Sequence, residues 1–553
     1  MSVLAPALRM ILVGGLLISV SLMWWLDRPN GRWIGRVRNR LLLGVPWGTL
    51  VSIGLVLAVY LGLQHGYRDW TTPLTLPYVS WSYLYPLGVL TAGFAHTGPS
   101  HLLGNLFGTV VLAPIVEYTW GHYPRRRGTS SFGSWRRNPY VRAFLLFPVA
   151  VVLTGVTTVL FHWGPLIGFS GVVFAFAGFA LVRHPIVTVV ALSLRTVLST
   201  GYYAMVDPIV TATPGPSFGG PWWAGIAVEG HAFGLLLGAV LGVALFRRRG
   251  GADPPSALQL WIGTVIAGMS LTLWAIWWYG SGASFVLYRG LGVVLVVAVA
   301  ILFTAAMLAS NRDLLPRRLG APTRRLGISR HRAATMVLVV ALSTMAVVAI
   351  PVNLTTVETA TTPGQGVSVR DYRVIYAEDV RNQNVPAIDI SLLGSTTNVT
   401  TSGVIVINRD RHLWTREVSA AALGFFGYAS VTVGGPTWER TVQVRRRGWV
   451  PTGGEAVYQV WLQEPGGSWQ HAFASSGSMA SPVIDARSIK IVANDGVFDV
   501  AVIRNEEVID RAQIPATNES VRVGGIRFVH QETALVAMFD DTRVVVAREE
   551  EYA

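Results

Sequence analysis

HTGPSHLLGNLFGTVVLAPIVEYTWG, residues 96–121, decides how this chain is read. From Pro99 to Thr119 it is apolar and long enough to cross a hydrocarbon core at the helical rise. Yet it carries His101 and Asn105. A polar side chain at membrane depth costs several kcal/mol unless it faces a cavity or a partner. The segment therefore predicts a membrane-spanning helix that contributes to a site.

The surrounding sequence repeats the pattern. Of 553 residues, 51% are hydrophobic and only 13% charged, and the mean hydropathy is +0.46. About ten apolar runs predict spans near 8–26, 43–63, 99–119, 141–162, 167–183, 186–206, 223–246, 258–279, 285–309 and 333–351. The first run lacks a small-residue cleavage site before Trp24 and carries its positive charge after the apolar stretch, so it reads as an uncleaved span. Many of the tryptophans and tyrosines stand at run ends, where interfacial belts form.

The net charge of +14 is unevenly placed. Residues 1–352 hold 26 basic and 7 acidic side chains, whereas residues 353–553 hold 18 and 23. The basic residues fall in alternate loops, at 28–40, 122–142, 183–185, 247–251 and 311–332, while the intervening connections contain only Arg68. That alternation turns the basic loops inward and leaves both termini outside. It accounts for the positive charge without nucleic acid. With no cysteine, the chain has no disulfide, thiolate metal site or cysteine nucleophile.

After Pro351 the pattern changes to short alternating segments such as RVIYAEDV, GVIVINRD and RTVQVRRRGW, punctuated by glycine, proline and asparagine. This predicts an antiparallel β sandwich or barrel. Sequons at Asn353, Asn398 and Asn518 are compatible with an exterior domain. The fold class expected is thus an all-α polytopic membrane protein with a C-terminal β-rich soluble domain. The loop 64–98 is aromatic and broken by proline, suited to lying in the interface.

Few polar groups lie within the spans: His101 and Asn105, Ser170 in IGFSGVVFAFAGF (167–179), Glu229 and His231 in AVEGHAFGLLLGAVLG (227–242), and Arg195. Asn105, His231 and Ser170 lie on inward-running spans at depths of about 9, 12 and 5 Å below their entries. Gly168, Gly171 and Gly178, with Gly230, Gly234, Gly238 and Gly242, supply small surfaces on which two helices approach closely. Ser170 and His231 then meet, and imidazole is the base a serine hydroxyl needs. The Ser170 backbone N–H, Asn105 and His101 are donors for an oxyanion. No aspartate is placed to orient His231, which makes a dyad. Glu229 points about 200° round the helix from His231, toward water or another helix. His101 is open to a second role as an interfacial cap, and Arg195 to snorkelling or to marking substrate entry.

H-x4-H-x3-N at His96, His101 and Asn105, then Glu117 and Gly121, G-x-S-G at 168–171 and G-H-x-x-G-x-x-x-G at 230–238 together resemble the rhomboid family of intramembrane serine proteases. The resemblance covers about 43–246, a six-helix core with one span before it and three after. It implies Ser170 as nucleophile, His231 as general base, His101 and Asn105 as oxyanion donors and Glu117 as an inner-end hydrogen-bonding residue. The loop 64–98 matches the family's embedded first loop and 207–221 its cap over the site. It also implies cleavage of single-span membrane proteins near the outer boundary, without cofactor or metal. Two positions depart from the family: Phe174 stands where tyrosine is common, and Arg68-Asp69-Trp70 only loosely echoes its Trp-Arg pair.

The expected organisation is an N-terminal span and basic loop over 1–42, a protease core over 43–250, three further spans over 251–352 and an exterior β domain over 353–553. The expected place is the cell membrane, with site and β domain outside. The β domain either recruits substrate or tethers the enzyme to an envelope partner. Rival readings are a silent rhomboid-like binder of transmembrane helices and a transporter. The absence of repeat symmetry and of paired buried carboxylates speaks against the transporter.

Overall fold

In the computed structural model, ten apolar helices among the described residues stand near the ten predicted runs. The structure describes all residues except 1–3, 27–31, 124–128, 211–215, 250–253, 281–283, 310–328, 355, 358–363 and 384–398. The helices are α1 (Leu4–Leu26), α2 (Trp47–Leu63), α3 (Pro99–Trp120), α4 (Pro139–Leu160), α5 (Ser170–Arg183), α6 (Pro185–Val206), α7 (Val228–Arg248), α8 (Ala257–Ser270), α9 (Arg289–Leu308) and α10 (Arg330–Asn353). Seven are long and apolar enough to cross a membrane, and α2, α5 and α8 are shorter apolar helices. The chain is a multi-pass membrane protein with a β-rich C-terminal region.

Local chemistry sets the helix ends. Pro99 opens α3 at a position whose N–H has no intrahelical partner, and Gly121, with φ of 71°, closes it. Pro185 separates α5 from α6, because the residue before a proline is driven out of the helical region. Ser256 and Gln259 form a reciprocal capping box on α8. One predicted span is shorter than expected. The run 258–279 gives a helix only to Ser270, and Trp277–Tyr279 then pairs antiparallel with Phe285–Leu287. Its terminal tryptophans and tyrosine are strand formers and belong to a hairpin.

The core of the helical unit is α5, buried continuously from Gly171 to Gly178 and closely packed against α7. A Cβ added at Gly178, Gly234 or Gly238 would enter the backbone carbonyl of Leu235, Gly171 or Ala175, respectively. These two helices therefore meet backbone to backbone. The loop 64–98 is folded on itself. Gln64 Nε2 donates to the carbonyls of Leu74 (3.1 Å) and His96 (2.7 Å), and its Oε1 accepts from His96 N.

Two compact units divide the chain, one over residues 1–280 and 284–355 and another over 356–553. In the second, all strand pairs among the described residues are antiparallel. Gly366–Val369, Tyr372–Arg381, Thr400–Asn408 and Leu413–Ser419 form one sheet in chain order, and the four strands between Ser478 and Gln513 form another. An eight-stranded sheet centres on Trp438–Pro451, whose alternation buries Val442, Val444 and Arg446 and exposes Gln443, Arg445 and Arg447. Its strand path runs from Trp469–Ala474 to Ser520–Val523 and does not close.

The sequon reading needs one correction. Asn353 is 5% exposed, with its amide committed to the His162 carbonyl (2.5 Å) and the Gly164 N–H (3.0 Å), so it is not a surface acceptor for glycan. Asn398 lies outside the described residues, and Asn518 is exposed.

Candidate active site

Ser170 is the first residue of α5. At that position its backbone N–H has no intrahelical acceptor and stays available. The turn before it depends on Gly168, whose φ of 136° suits glycine. A Cβ there would also lie 2.6 Å from the His101 ring. Gly168 N donates to Ala92 O at 2.8 Å, which anchors the turn to the loop before α3.

His231, in the first turn of α7, approaches Ser170 from across the α5–α7 seam: Nε2 lies 2.9 Å from Ser170 Oγ. The Phe174 ring, one turn below Ser170, stacks on the imidazole with centroids 4.0 Å apart and planes 8° from parallel. Stacking holds the ring in the plane that aims Nε2 at the hydroxyl. Nδ1 is buried and has no hydrogen-bond partner among the described residues. When the serine hydroxyl donates to Nε2, the neutral ring carries its proton on Nδ1. Among the described residues no carboxylate bonds to Nδ1.

The donors predicted for an oxyanion border the same turn. Asn105 is buried on α3, and its Nδ2 makes no hydrogen bond among the described residues. The same Gly168 Cβ position lies 3.9 Å from that nitrogen. His101 Nδ1 is 3.2 Å from Thr97 Oγ1, while the Nε2 side of the ring faces Gly168. Among the described residues, the orphaned amide beside the Ser170 turn is a buried donor without an acceptor, which is costly unless a ligand oxygen arrives.

The other intramembrane polar groups are placed elsewhere. Glu117 accepts from Gly48 N (2.7 Å), Thr49 N (2.8 Å), Thr49 Oγ1 (2.7 Å) and His122 Nε2 (2.6 Å). His122 Nδ1 accepts from Leu42 N, which assigns the ring proton to Nε2. This cluster ties α3 to α2 at the far end from Ser170. Glu229 sits beside His162, with Oε1 3.2 Å from Nε2, on the loop that follows α4. It makes no hydrogen bond to His231 Nδ1, and its side chain is 30% exposed. Arg195 lies against α3, near Gly104.

Sequence reasoning missed His162, Gln64 and Asn353. Asn353 joins the end of α10 to the loop carrying His162, and its backbone carbonyl accepts from Tyr83 N at 2.8 Å. Gln64 and Asn353 stand at the ends of apolar runs, where a lone polar residue signals a loop clasp. His162 offered no sequence signal. Of the predicted cap, residues 211–215 lie outside the described residues.

Residues 84–248, from the loop before α3 to the end of α7, match the Rhomboid domain family model. No curated protein and no solved structure matches the chain. The segment holding Ser170, His231, His101 and Asn105 is therefore a rhomboid domain.

Proposed function

We propose that this rhomboid-domain protein is an intramembrane serine endopeptidase that cleaves single-span membrane proteins near the outer membrane boundary. The observation that carries the reading is the 2.9 Å approach of His231 Nε2 to Ser170 Oγ across two separate helices. Ser170 Oγ attacks the scissile carbonyl carbon while Nε2 takes the hydroxyl proton. Negative charge on the carbonyl oxygen is met by the Ser170 N–H, Asn105 Nδ2 and His101. The imidazolium returns its proton to the departing amine as the C–N bond breaks, leaving an acyl group on Ser170. Water, deprotonated by the same imidazole, then hydrolyses that ester and restores the hydroxyl.

The basic loops orient the chain with the Ser170 end of α5 and the β-rich domain outside the cell membrane. In that orientation the dyad sits a short distance below the outer boundary. The β-rich domain then faces the same side as the substrate's exterior part and either recruits it or engages an envelope partner.

The test uses the full chain in proteoliposomes with a panel of single-span substrates and a serine-directed covalent probe. Cleavage and labelling are expected in the parent, both lost in Ser170→Ala and strongly reduced in His231→Ala. Parental cleavage by Ser170→Ala would reject the nucleophile. A folded parent that neither cleaves nor labels would replace this reading with that of a rhomboid-like binder of transmembrane helices.

A further inference from the structure

No carboxylate bonds to His231 Nδ1 among the described residues, so the aim of the ring depends on how the first turn of α7 is held. Phe174 stacks on the imidazole itself. The backbone just before it is held by a loop. A Cβ added at Gly230 would lie 2.4 Å from His162 Cδ2, so ring and helix meet with no side chain between them. His162 is buried, and acceptors flank both of its nitrogens: Gly164 O is 3.2 Å from Nδ1, and Glu229 Oε1 is 3.2 Å from Nε2. One histidine thus grips the two residues that precede His231.

The loop carrying His162 is in turn held by α10, through three consecutive residues. Asn353 Nδ2 donates to His162 O at 2.5 Å, Trp163 Nε1 donates to Met345 O at 2.9 Å, and Gly164 N donates to Asn353 Oδ1 at 3.0 Å. On its other side the Asn353 carbonyl accepts from Tyr83 N at 2.8 Å and from Ser82 Oγ at 3.1 Å. A loop has no ladder of its own, so its backbone groups need partners brought from elsewhere.

Anchoring α10 to the bundle does not require such a clasp. Apolar packing does that at Leu338, which is fully buried on the same helix. Apolar contact is non-directional, whereas an amide matched at both its donor and its acceptor fixes a position. The last residue of α10 commits a whole buried amide to the backbone of the loop that touches Gly230 and Glu229.

We infer that Asn353 is a positioning residue for the dyad: it sets the 162–164 loop against Gly230 and Glu229, and so sets the aim of His231 Nε2 at Ser170 Oγ. The inference rests on the peptidase reading. It gives a part in the site to a span lying outside residues 84–248, the segment that matches the rhomboid domain. A misplacement of about 1 Å, caused far from the chemistry, costs up to about 100-fold in rate.

The test uses the full chain in detergent, well below its melting temperature, with a serine-directed probe and with kcat and KM for a single-span substrate. Asn353→Ala should lower labelling and kcat by about 10- to 100-fold with KM unchanged. Leu338→Ala, about 22 Å away along α10, should lower the melting temperature and yet label within about threefold of the parent. Asn353→Asp supplies a pH signature. Protonated, its carboxyl donates to His162 O and accepts from Gly164 N as the amide does; ionised, it only accepts. Its labelling relative to the parent, which shares His162, Glu229 and His231, should therefore rise several-fold as pH falls through the carboxylate range. If Asn353→Ala does not fold, Trp163→Phe, which removes only the bond to Met345, should still lower labelling several-fold. A parent that neither labels nor cleaves would overturn the peptidase reading and this inference together. With a reactive parent, parental labelling by folded Asn353→Ala or by Trp163→Phe, an equal loss in Leu338→Ala, or a pH-independent ratio for Asn353→Asp would each overturn this inference alone.

Discussion

Gly234→Ala tests whether backbone contact between α5 and α7 is what makes the dyad. A Cβ at Gly234 would fall about 1 Å short of the 3.4 Å at which ordinary contact begins, and the atom it meets is Gly171 O, next to Ser170. A backbone carbonyl cannot swing aside, so the helices must part by roughly that amount. The Ser170–His231 distance, now 2.9 Å, would then stretch to about 4 Å, beyond hydrogen-bond reach. Loss of aligned general-base assistance costs about 100-fold or more in rate, roughly 3 kcal/mol of barrier. Overpacking adds about 1–3 kcal/mol of destabilisation. The assay is the second-order rate of labelling by a serine-directed probe on the full chain in detergent, with thermal unfolding measured in parallel. Gly201→Ala on α6 is the control, since nothing lies within 4 Å of its added Cβ, and it should label at the parental rate. A folded Gly234→Ala protein that labels within about threefold of the parent would refute the reasoning.

Asn105→Ala should lower substrate turnover by about 100- to 1,000-fold with little change in melting temperature, because it removes a donor that holds no partner among the described residues; a large melting shift with unchanged turnover would assign it a packing role. Glu117→Gln should do the opposite. Gln presents an N–H₂ to a site where four donors converge on the carboxylate, so a loss of roughly 3 kcal/mol in stability is expected, read as a lower melting temperature with probe labelling retained in the cold. In the β-rich unit, burial and then the Glu378 carboxylate raise the Tyr376 phenol, and burial and the Glu550 hydrogen bond raise that of Tyr552. Their contribution to stability is whole below about pH 10, where an unfolded tyrosine keeps its proton, and drains away as pH climbs through the raised native values. An ultraviolet titration should therefore keep Tyr376 and Tyr552 protonated above the ordinary phenol value, a signal that Tyr376→Phe and Tyr552→Phe each reduce; ionisation of these two at the ordinary value would contradict this.

Much of the architecture was legible in local pattern. Apolar runs of spanning length mark most of the helices, and alternation after Pro351 marks the sheets, because both signals repeat within one element. The chemical inventory was legible too: a hydroxyl, an imidazole and an amide have few reasons to stand in apolar runs. Local pattern misled where ring-rich sequence served two structures. Trp277–Tyr279 is as apolar as a helix end, yet hydrogen bonds to Phe285–Leu287 make it a hairpin. The glycines at 178, 234 and 238 suggested close packing, but which carbonyl each admits depends on the rotation and offset of two helices that are far apart in sequence. The same holds for Glu229, whose partner His162 arrives on a loop, and for Asn353, a sequon by its neighbours and a buried clasp by its contacts. Composition and periodicity determined what the chain is made of and that it lies in a membrane. Only the tertiary structure decided the geometry of each contact, because an approach of 2.9 Å depends on the rotation and offset of helices that lie far apart in sequence, which glycine spacing along either one does not fix.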